Sequence, residues 1–456
     1  MTIVSKEVIP GDFCIGCGLC TYLEPSRYRI QMDEFGMLKA TLLAGDARSE
    51  NRVDDVCPFS GVGPNEDALS DELFPGVPTQ KFLGKSLAAY VGHVDAGGFR
   101  EAGSSGGLAK WVLYRLLKDQ HVDHVIQVAY SGDPNRIYKY TTNSDPEQVI
   151  GGSKSAYYPV TLDEILDRIK TNPGRYAITA LPCFATGLRR LMRIDPTVRD
   201  RVVIVVGIIC GHLKSTAFTE GLAWQLGVPP GTVASIDFRV KLDGKRANEK
   251  GVVVVDQHGL RTHARSSKEL FGGNWGHNLF KYKACDYCDD VFAETADCAI
   301  GDAWLPGWID DHRGTSIIVV RNQLLLKLIE DGISRAQLSL QSLSADDARS
   351  SQRGGLLHRN EGLSLRLHDD DLANRWRPQK RTQPSAAMSR YRRHIYRTRV
   401  LLREASHVAF REARADGDIK RLYSQLNALI ARLNHQSVWR RLLTRLVSTL
   451  RTQEKA

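Results

Sequence analysis

The fold is decided by two apolar stretches that each end in a cysteine, residues 176–183 (YAITALPC) and residues 202–210 (VVIVVGIIC). Short continuous apolar runs that are rich in Val and Ile are typical of strands buried on both faces of a parallel sheet. In open parallel sheets, ligands bind at the carboxyl ends of the strands. The two stretches therefore predict an α/β fold in which neighbouring strands bring Cys183 and Cys210 together at that edge.

A run of three cysteines near the N-terminus follows the spacing Cys-x-x-Cys-x-x-Cys. Thiolates at this spacing curl around one face of an iron–sulfur cluster, and the glycines between them let backbone N–H groups approach the sulfurs. In two-cluster ferredoxins the run continues to a Cys-Pro pair for the second cluster, and here Glu24 stands in the place of that cysteine. A structural zinc site made of four cysteines is the alternative. The predicted ligands of a single 4Fe-4S cluster are Cys14, Cys17, Cys20 and Cys57.

The motif Cys285-Asp-Tyr-Cys288 adds two more thiols to those that follow the strands. Four thiols from three segments are sufficient for a second 4Fe-4S cluster at the sheet edge. Taken singly, each pattern has another explanation, because a lone cysteine is most often a core residue and a Cys-x-x-Cys pair also serves zinc or redox chemistry. Cys298 lies in an apolar stretch, and we expect it to be packed in the core.

Two glycine–serine segments favour the binding of an anion. Residues 103–107 (GSSGG) directly precede a helical pattern at 108–118. Uncovered backbone N–H groups at a helix N-terminus suit a phosphate or the polar edge of a flavin ring. Residues 151–155 (GGSKS) are similar and add Lys154. Both segments are also common as plain loops, and neither matches the dinucleotide-binding fingerprint or the P-loop.

The chain divides into three predicted domains, in agreement with its length of 456 residues. A linker rich in Pro and Gly at 73–78 ends a ferredoxin-like (α+β) domain at 1–78. An α/β domain follows at 79–380, and in it the helical pattern at 108–118 leads into a predicted strand at 122–130. A C-terminal helical extension occupies 381–456.

Composition and charge limit the class of protein. The hydrophobic fraction of 42% and the charged fraction of 25% are those of a globular protein. No apolar run approaches the roughly 20 residues that span a bilayer, and the first ten residues do not resemble a secretory signal. Nine cysteines in a few groups suit metal ligation in a reducing compartment better than a disulfide framework. We therefore expect a cytoplasmic protein, with peripheral attachment to the inner membrane as a variant.

The net charge of +10 is located at the C-terminal end. Residues 389–456 carry a net charge of +11, and the other 388 residues carry −1. A neutral body with a cationic tail argues against a duplex-binding domain and favours a docking tail. Apolar residues at 422–433 and at 439–450 recur on one helical face. We expect a helical hairpin packed on this protein or on a partner, which includes a second copy; a membrane surface is the next alternative, and nucleic acid the last.

These motifs, in this order, resemble the beta subunits of coenzyme F420 hydrogenases and dehydrogenases, a family that includes ferredoxin-dependent chlorophyll-pathway reductases. The resemblance extends from about residue 14 to about residue 322, and it corresponds to family parts at 79–165 and 166–340. The basic tail is a departure, because members of the family usually end near the point where it begins. The motifs that carry the resemblance are the N-terminal cysteine run with Cys57-Pro58, residues 103–107, Gly152-Ser153-Lys154, Leu181-Pro182-Cys183, Cys210, Phe238-Arg239-Val240-Lys241, Cys285-x-x-Cys288, Ala296-Asp297 and Gly301-Asp302-Ala303-Trp304.

The resemblance implies an oxidoreductase with two 4Fe-4S clusters and FAD in the α/β domain. A ferredoxin-type donor would deliver electrons at the N-terminal cluster, and the internal cluster would stand beside the flavin. Because flavin exchanges one or two electrons, it connects such a donor with an organic two-electron acceptor, either coenzyme F420 or another substrate. The implied ligands of the internal cluster are Cys183, Cys210, Cys285 and Cys288.

The resemblance also suggests the residues around the flavin. The implied flavin contacts are Ser104, Ser105, Gly106, Gly107, Gly152, Ser153 and Lys154. Candidate cations for stabilising reduced flavin are Lys154, Arg239 and Lys241, and candidate catalytic residues are Lys154, His277 and Asp302, of which the last two would relay protons. Structural roles for these charged residues are the alternative. Two other functions stay open: a non-enzymatic electron-transfer subunit, and a zinc-stabilised protein whose tail binds a membrane or nucleic acid.

Overall fold

The N-terminal part of the chain forms a small antiparallel sheet with short helices. The computed structural model describes residues 2–43, 52–152 and 154–434. Strands β1 and β2 pair antiparallel, and Leu19 and Val56 are buried in a core that also contains Phe184 and Leu188. The ferredoxin-like architecture of this part stays a prediction. Its elements are α1 (Leu19–Leu23), β1 (Tyr28–Met32), β2 (Leu38–Leu42), α2 (Arg52–Val56) and α3 (Glu66–Leu73).

The next part contains the helix and the first strand that the sequence predicts. The helical pattern at 108–118 is α5, and the predicted strand at 122–130 begins two residues later, as β6. Strands β3 and β4 form a separate two-stranded sheet. The elements are β3 (Thr79–Gln80), β4 (Gly84–Lys85), β5 (Ala88–Val94), α4 (Phe99–Ala102), α5 (Leu108–Lys118), β6 (His124–Asp133), β7 (Arg136–Asn143), α6 (Pro146–Ile150) and α7 (Asp163–Thr171).

The two apolar stretches that end in cysteine form strands β8 and β9, as predicted. Strands β10, β11 and β12 form a separate three-stranded antiparallel sheet. The elements of this part are β8 (Tyr176–Ala180), α8 (Pro182–Ile194), α9 (Pro196–Arg201), β9 (Val202–Ile208), α10 (Thr216–Gln225), β10 (Val233–Val240), β11 (Gly251–Asp256), β12 (Arg265–Ser266), β13 (Cys298–Asp302), β14 (Ser316–Val320), α11 (Gln323–Ser334) and β15 (Leu338–Ser342).

The central sheet has eight strands in the order β15-β5-β14-β13-β9-β8-β6-β7. Strands β13, β9, β8 and β6 run parallel, and the flanking strands pair antiparallel. One face of the sheet packs on α5 and α11, and the other packs on the core that contains α8. The sheet is therefore mixed, with a parallel centre that carries the strand ends of interest and helices on both faces, as in other α/β folds.

The C-terminal part is helical and packs on the body. Ser389 caps α15, and Phe410 and Leu426 on the two long helices are buried. The two long helices form a hairpin at 390–434, and its second helix contains the predicted pattern at 422–433. The second predicted pattern, at 439–450, lies outside the described residues, so the predicted pairing of these two patterns stays a prediction. No described helix combines the length and the apolar character that crossing a membrane requires. The elements are α12 (Ala345–Ser351), α13 (Arg353–Leu357), α14 (Leu363–Leu372), α15 (Arg390–Asp416) and α16 (Ile419–Asn434).

Candidate functional site

The four N-terminal cysteines, called here the first thiol group, line one small apolar cavity. They are Cys14, Cys17, Cys20 and Cys57. The run turns because Gly16 and Gly18 have φ angles of 69° and 86°, which side chains disfavour. A Cβ atom on Gly16 would lie 2.4 Å from the carbonyl oxygen of Leu38. Glycine is thus required where the run wraps against β2.

Burial and mutual proximity dominate the electrostatics of the first thiol group. Burial, followed by the charge of the other thiols, raises the pKa of Cys17 and of Cys20. Burial also raises the pKa of Cys57 to about 12. Backbone N–H groups of Gly16 and Ala40 donate to Cys14 Sγ at 3.4 and 3.3 Å. Four half-buried thiols with sulfur-directed N–H groups fit a metal centre whose positive charge would favour the thiolates.

The other four cysteines of the prediction form a second thiol group at the carboxyl end of the parallel strands. They are Cys183, Cys210, Cys285 and Cys288. Ala180 of β8 pairs with Gly207 of β9, so the cysteines that lie three residues beyond each come to the same edge. Cys183 thereby occupies the first turn of α8, directly after Pro182. The expectation that these strands are parallel neighbours is confirmed.

The second thiol group has donors of its own. Burial raises the pKa of Cys183, and after burial the largest causes are the three other thiols of its group. The N–H of Leu213 donates to Cys285 Sγ at 3.2 Å, and Arg359 Nε donates to Cys288 Sγ at 3.4 Å. Arg359 is only 2% exposed. This group therefore has a buried cation at a sulfur in addition to a backbone donor, and its donor set also fits a metal centre.

The two thiol groups are electrostatic neighbours, since Cys17 also contributes to the raised pKa of Cys183. Within residues 2–43, 52–152 and 154–434, no group of three or more His, Cys, Asp or Glu side chains is placed to hold a single metal ion. The ninth cysteine, Cys298, is buried in β13 within the core that contains α5. It occupies the position of a packed hydrophobic residue, as expected.

A cavity of about 1070 Å³ lies at the carboxyl ends of the parallel strands and is bordered by the second thiol group through Cys210. Residues from the ends of β8, β9 and β13 line it. Pockets for cofactors and drug-sized ligands usually measure about 300–1,000 Å³. The cavity therefore has room for a dinucleotide-sized ligand and is positioned where α/β sheets bind their ligands.

The two glycine–serine segments meet at the wall of this cavity. The N–H of Ser155 donates to Ser104 Oγ at 2.8 Å, and Ser105 Oγ donates to the carbonyl of Thr315 at 2.7 Å. Gly107 has a φ of 86°, and a Cβ on Gly106 would lie 2.7 Å from a backbone oxygen of β5. The turn is therefore held tightly against the sheet. The predicted flavin contacts that line the cavity are Ser104, Ser105, Gly107 and Lys154.

Several predicted residues lie behind the cavity wall. Gly106 donates its N–H to Ser316 Oγ at 3.0 Å, and Gly152 accepts from Lys110 at 2.9 Å. Lys241 donates to the carbonyl of Ser105 at 3.1 Å, so it holds the turn from outside. Ser153 lies outside the described residues, and its predicted contact has no structural description.

Two of the predicted catalytic residues, Lys154 and Asp302, form ion pairs within the protein. Lys154 lines the cavity and pairs with Asp237 at 2.9 Å. Asp302 also lines the cavity, and its two oxygens accept from Arg239 at 2.6 and 2.8 Å. Burial alone would lower the pKa of Arg239, but Asp302 raises it. His277 is half-buried outside the cavity lining. Asp302 therefore holds the guanidinium of Arg239 in place. The geometry supports neither Asp302 nor His277 as a proton donor.

Lys110 and Lys250 are two of the buried lysines that line the cavity and that sequence reasoning missed. Lys110 donates to the carbonyls of Ile150 and Gly152 at 2.6 and 2.9 Å, and Lys250 donates to that of His312 at 3.1 Å. Burial, followed by a neighbouring cation, lowers the pKa of each lysine to about 8. Lys110 had a sequence signal, because it lies one turn after the glycine–serine segment. Lys250 had none.

An aromatic wall, defined as Tyr157, Phe218, Phe238 and Trp275, forms another side of the cavity. The ring of Tyr157 lies 4.7 Å from that of Trp275 and 5.2 Å from that of Phe238, centre to centre. Phe218 stacks on Phe238 at 5.9 Å. Such rings offer flat apolar surfaces to a planar ligand. Sequence reasoning missed the wall because its members come from four separate segments.

Two family profiles, both of the coenzyme F420 hydrogenase/dehydrogenase beta subunit, match the chain. The profile of the N-terminal part of that subunit covers residues 89–167, and the profile of its C terminus covers residues 174–346. Among solved structures, the chain is similar to one from the F420-reducing NiFe hydrogenase complex of Methanosarcina barkeri, with 14% identity and a TM-score of 0.49; the match covers 65% of this chain and 97% of that one. A search of curated proteins found no match.

Proposed function

Because the chain belongs to the coenzyme F420 hydrogenase/dehydrogenase beta subunit family, we propose that it is a flavin and iron–sulfur oxidoreductase. In this proposal, electrons from a ferredoxin-type donor pass through two 4Fe-4S clusters to FAD and on to an organic two-electron acceptor. Redox electron transfer is what the family itself provides. The clusters, FAD, the donor and the acceptor belong to the proposal.

The observation that carries the proposal is the continuity between the thiol groups and the cavity. Cys17 of the first thiol group is an electrostatic neighbour of Cys183 of the second, and Cys210 of the second lines the cavity. Electron transfer needs redox centres that follow one another at short range. A line that runs from the N-terminal cysteines to a cavity of cofactor size supports a relay better than it supports two structural metal sites.

Different residues around the cavity would bind different parts of FAD. Ser104, Ser105 and Ser155 offer polar groups to phosphates, while Lys110 and Lys250 supply positive charge. The aromatic wall would take the planar ring system. Arg239, held in place by its two bonds to Asp302, is the fixed cation beside it. When bound, FAD would accept electrons singly and deliver them in pairs, which neither the clusters nor any side chain here can do.

Cofactor analysis of anaerobically purified and reconstituted protein tests the proposal. We expect a brown protein with about eight irons, if two clusters hold four each, and one FAD per chain. Reduced ferredoxin should bleach the flavin absorbance, and a panel of organic acceptors, including coenzyme F420, should restore it. Colourless protein that contains zinc and no flavin would contradict the proposal and support a zinc-stabilised binding protein.

The same experiment separates an enzyme from a relay subunit. An isolated chain that reduces one of the acceptors with electrons from ferredoxin is the enzyme proposed here. A chain that takes up electrons into its clusters and flavin but passes them to no small acceptor would instead be an electron-transfer subunit.

A further inference from the structure

The C-terminal part of the chain, beyond both family matches, supplies one end of the cavity. The family profiles stop at residue 346, yet later residues, from the end of α12 to α15, line the cavity wall. They include Gln352, His358 and Arg399. We infer that this end is a binding subsite for an anionic group, a carboxylate or a phosphate, of the organic acceptor, with Arg399 as the residue that recognises it. This inference rests on the proposed function, and it assigns an acceptor class to that function.

Arg399 has no carboxylate partner among the described residues, although its neighbours on α15 do. Arg392 pairs with Glu361 and Arg397 with Asp369, and these pairings raise the pKa of both arginines. Burial lowers the pKa of Arg399, and its Nε is buried without a hydrogen-bond partner in the described part of the chain. A guanidinium stays charged in proteins. A desolvated cation of this kind is costly unless an anion joins it, so a bound anion would recover that cost.

A second buried donor lies at the same end of the cavity. Asn278 is 4% exposed and lines the cavity, and its Nδ2 has no hydrogen-bond partner within the described residues. It follows the turn at 275–277, against which Arg399 packs: a Cβ on Gly276 would lie 3.5 Å from Arg399 Nη2. Buried polar groups are nearly always hydrogen-bonded in native proteins. An oxyanion bound between α15 and this turn would therefore accept from both donors, Arg399 of the helix and Asn278 of the turn.

The rest of the cavity offers no internal anion to these donors. Asp302 is the one carboxylate that lines the cavity in the described part of the chain, and both its oxygens accept from Arg239. Lys214, buried at the same end, donates to the carbonyl of Leu279, and burial, followed by the charge of Lys281, lowers its pKa well below the usual range. Within the described residues, no cavity-lining carboxylate is left to accept from Arg399 or Asn278, so a bound anion would supply that acceptor.

The aromatic wall connects this end with the glycine–serine turns. Tyr157 comes two residues after Ser155, and its ring contacts Trp275, which begins the turn that carries Asn278. The cavity therefore has a phosphate-compatible end at the turns, an aromatic middle and a second anion-compatible end at Arg399. An acceptor whose anionic group binds at Arg399 would have the rest of its structure against the aromatic middle.

Anion titration of the holoprotein tests the inference. Inorganic phosphate and acetate, representing the two anion classes, are titrated by calorimetry at constant ionic strength into wild type, Arg399→Gln, Arg399→Lys and Arg393→Gln, a control on the same helix that does not line the cavity. We expect Arg399→Gln to weaken binding of at least one anion about tenfold, as for a lost charge-assisted hydrogen bond. Arg399→Lys should be intermediate, because it keeps the charge without the fork.

The outcomes are distinguishable. Wild type that binds neither anion, Arg399→Gln that binds both as wild type does, or Arg393→Gln that loses as much would each overturn the inference. Iron and flavin are measured in the same samples. Loaded protein without Arg399-dependent binding overturns the subsite and leaves the proposed function standing, whereas flavin-free protein with such binding does the opposite. Because Arg399 makes no ion pair within the described residues, we expect equal thermal midpoints for the variants, which excludes unfolding as the cause.

Discussion

The first thiol group draws three of its four cysteines from seven consecutive residues, whereas the second draws on three separate segments. The first lies in a cavity with apolar walls, and the second borders a cavity lined by lysine and arginine side chains. Local spacing is thus sufficient to assemble the first group, while the second exists only once the parallel strands are paired. Each group offers four thiols, but because their surroundings differ, we expect the two proposed clusters to have different electron affinities.

The sulfur-directed donors express this difference. In the first thiol group, Cys14 Sγ accepts from backbone N–H groups, which are neutral. In the second, Cys288 Sγ accepts from the guanidinium of Arg359, a buried cation. A cation beside a cluster stabilises the reduced form, which is the more negative one. We therefore expect electrons to move from the first group to the second, toward the cavity.

The largest expected effect comes from removing one ligand of each group. Cys17→Ser and Cys285→Ser should each lose about four of eight irons and abolish acceptor reduction, because either loss interrupts the relay. Cys298→Ser is the matched control, since this cysteine is buried in β13 within another core. Iron content and electron paramagnetic resonance spectra measure the outcome. If Cys17→Ser lost all iron, or neither variant lost any, the division into two independent groups would be wrong.

The sequence predicts the features that depend on local patterns and misses those that depend on contacts between distant segments. Strands β8 and β9 and helix α5 are predicted because their apolar patterns are local, and register then places Cys183 beside Cys210. The aromatic wall and Lys250 were missed because their segments meet only in the folded chain. The role of Lys241 also depends on the fold, since the chain uses its ammonium to hold the carbonyl of Ser105 rather than to line the cavity.

A change of pH should alter the affinity of the cavity for FAD but not the iron content of the first thiol group. Burial holds the pKa of Lys110 and of Lys250 at about 8, so both lysines are charged below pH 8 and neutral above it. We expect FAD affinity to fall on the order of tenfold from pH 7 to pH 9, as the charged fraction of such a lysine does. Equilibrium dialysis of flavin at constant ionic strength measures it.

A pair of variants on α5 tests the cause of this pH dependence. Lys110→Met should weaken FAD binding at pH 7 and flatten the profile, whereas Lys118→Met, at the exposed end of the same helix, should behave as wild type does. Iron bound at the first thiol group should be constant over the range. An affinity that rises with pH would contradict the assignment of these lysines to the phosphates.

The variant Arg359→Gln tests the cause of the expected difference in electron affinity between the two clusters. Removing the guanidinium from Cys288 should lower the reduction potential of the second cluster by about 59 mV, the equivalent of a tenfold change in a one-electron equilibrium. The potential of the first cluster should not change. Redox titration followed by electron paramagnetic resonance gives both values. Arg353→Gln, an exposed arginine of the same region, is the control. Equal shifts of the two reduction potentials would mean that the charge of Arg359 acts at long range on both clusters rather than through its hydrogen bond to Cys288.

The smallest expected effect concerns the helix that supports the second thiol group. The N–H of Phe280, five residues before Cys285, donates to Ser406 Oγ of α15 at 2.8 Å, and Ser406 is fully buried. Ser406→Ala leaves this donor unsatisfied and should cost about 1 kcal/mol in the free energy of unfolding. Ser424→Ala, whose hydroxyl is exposed on α16, should cost less.

Because the lost bond is close to only one thiol group, its effect should be unequal. In Ser406→Ala, a chelator should remove iron faster from the second cluster, while the first cluster loses iron at the wild-type rate. Electron paramagnetic resonance signals of the two clusters follow both rates in one sample. Equal acceleration would indicate that α15 stabilises the molecule as a whole, and the tail would then have no special relation to the cavity end that it helps to build.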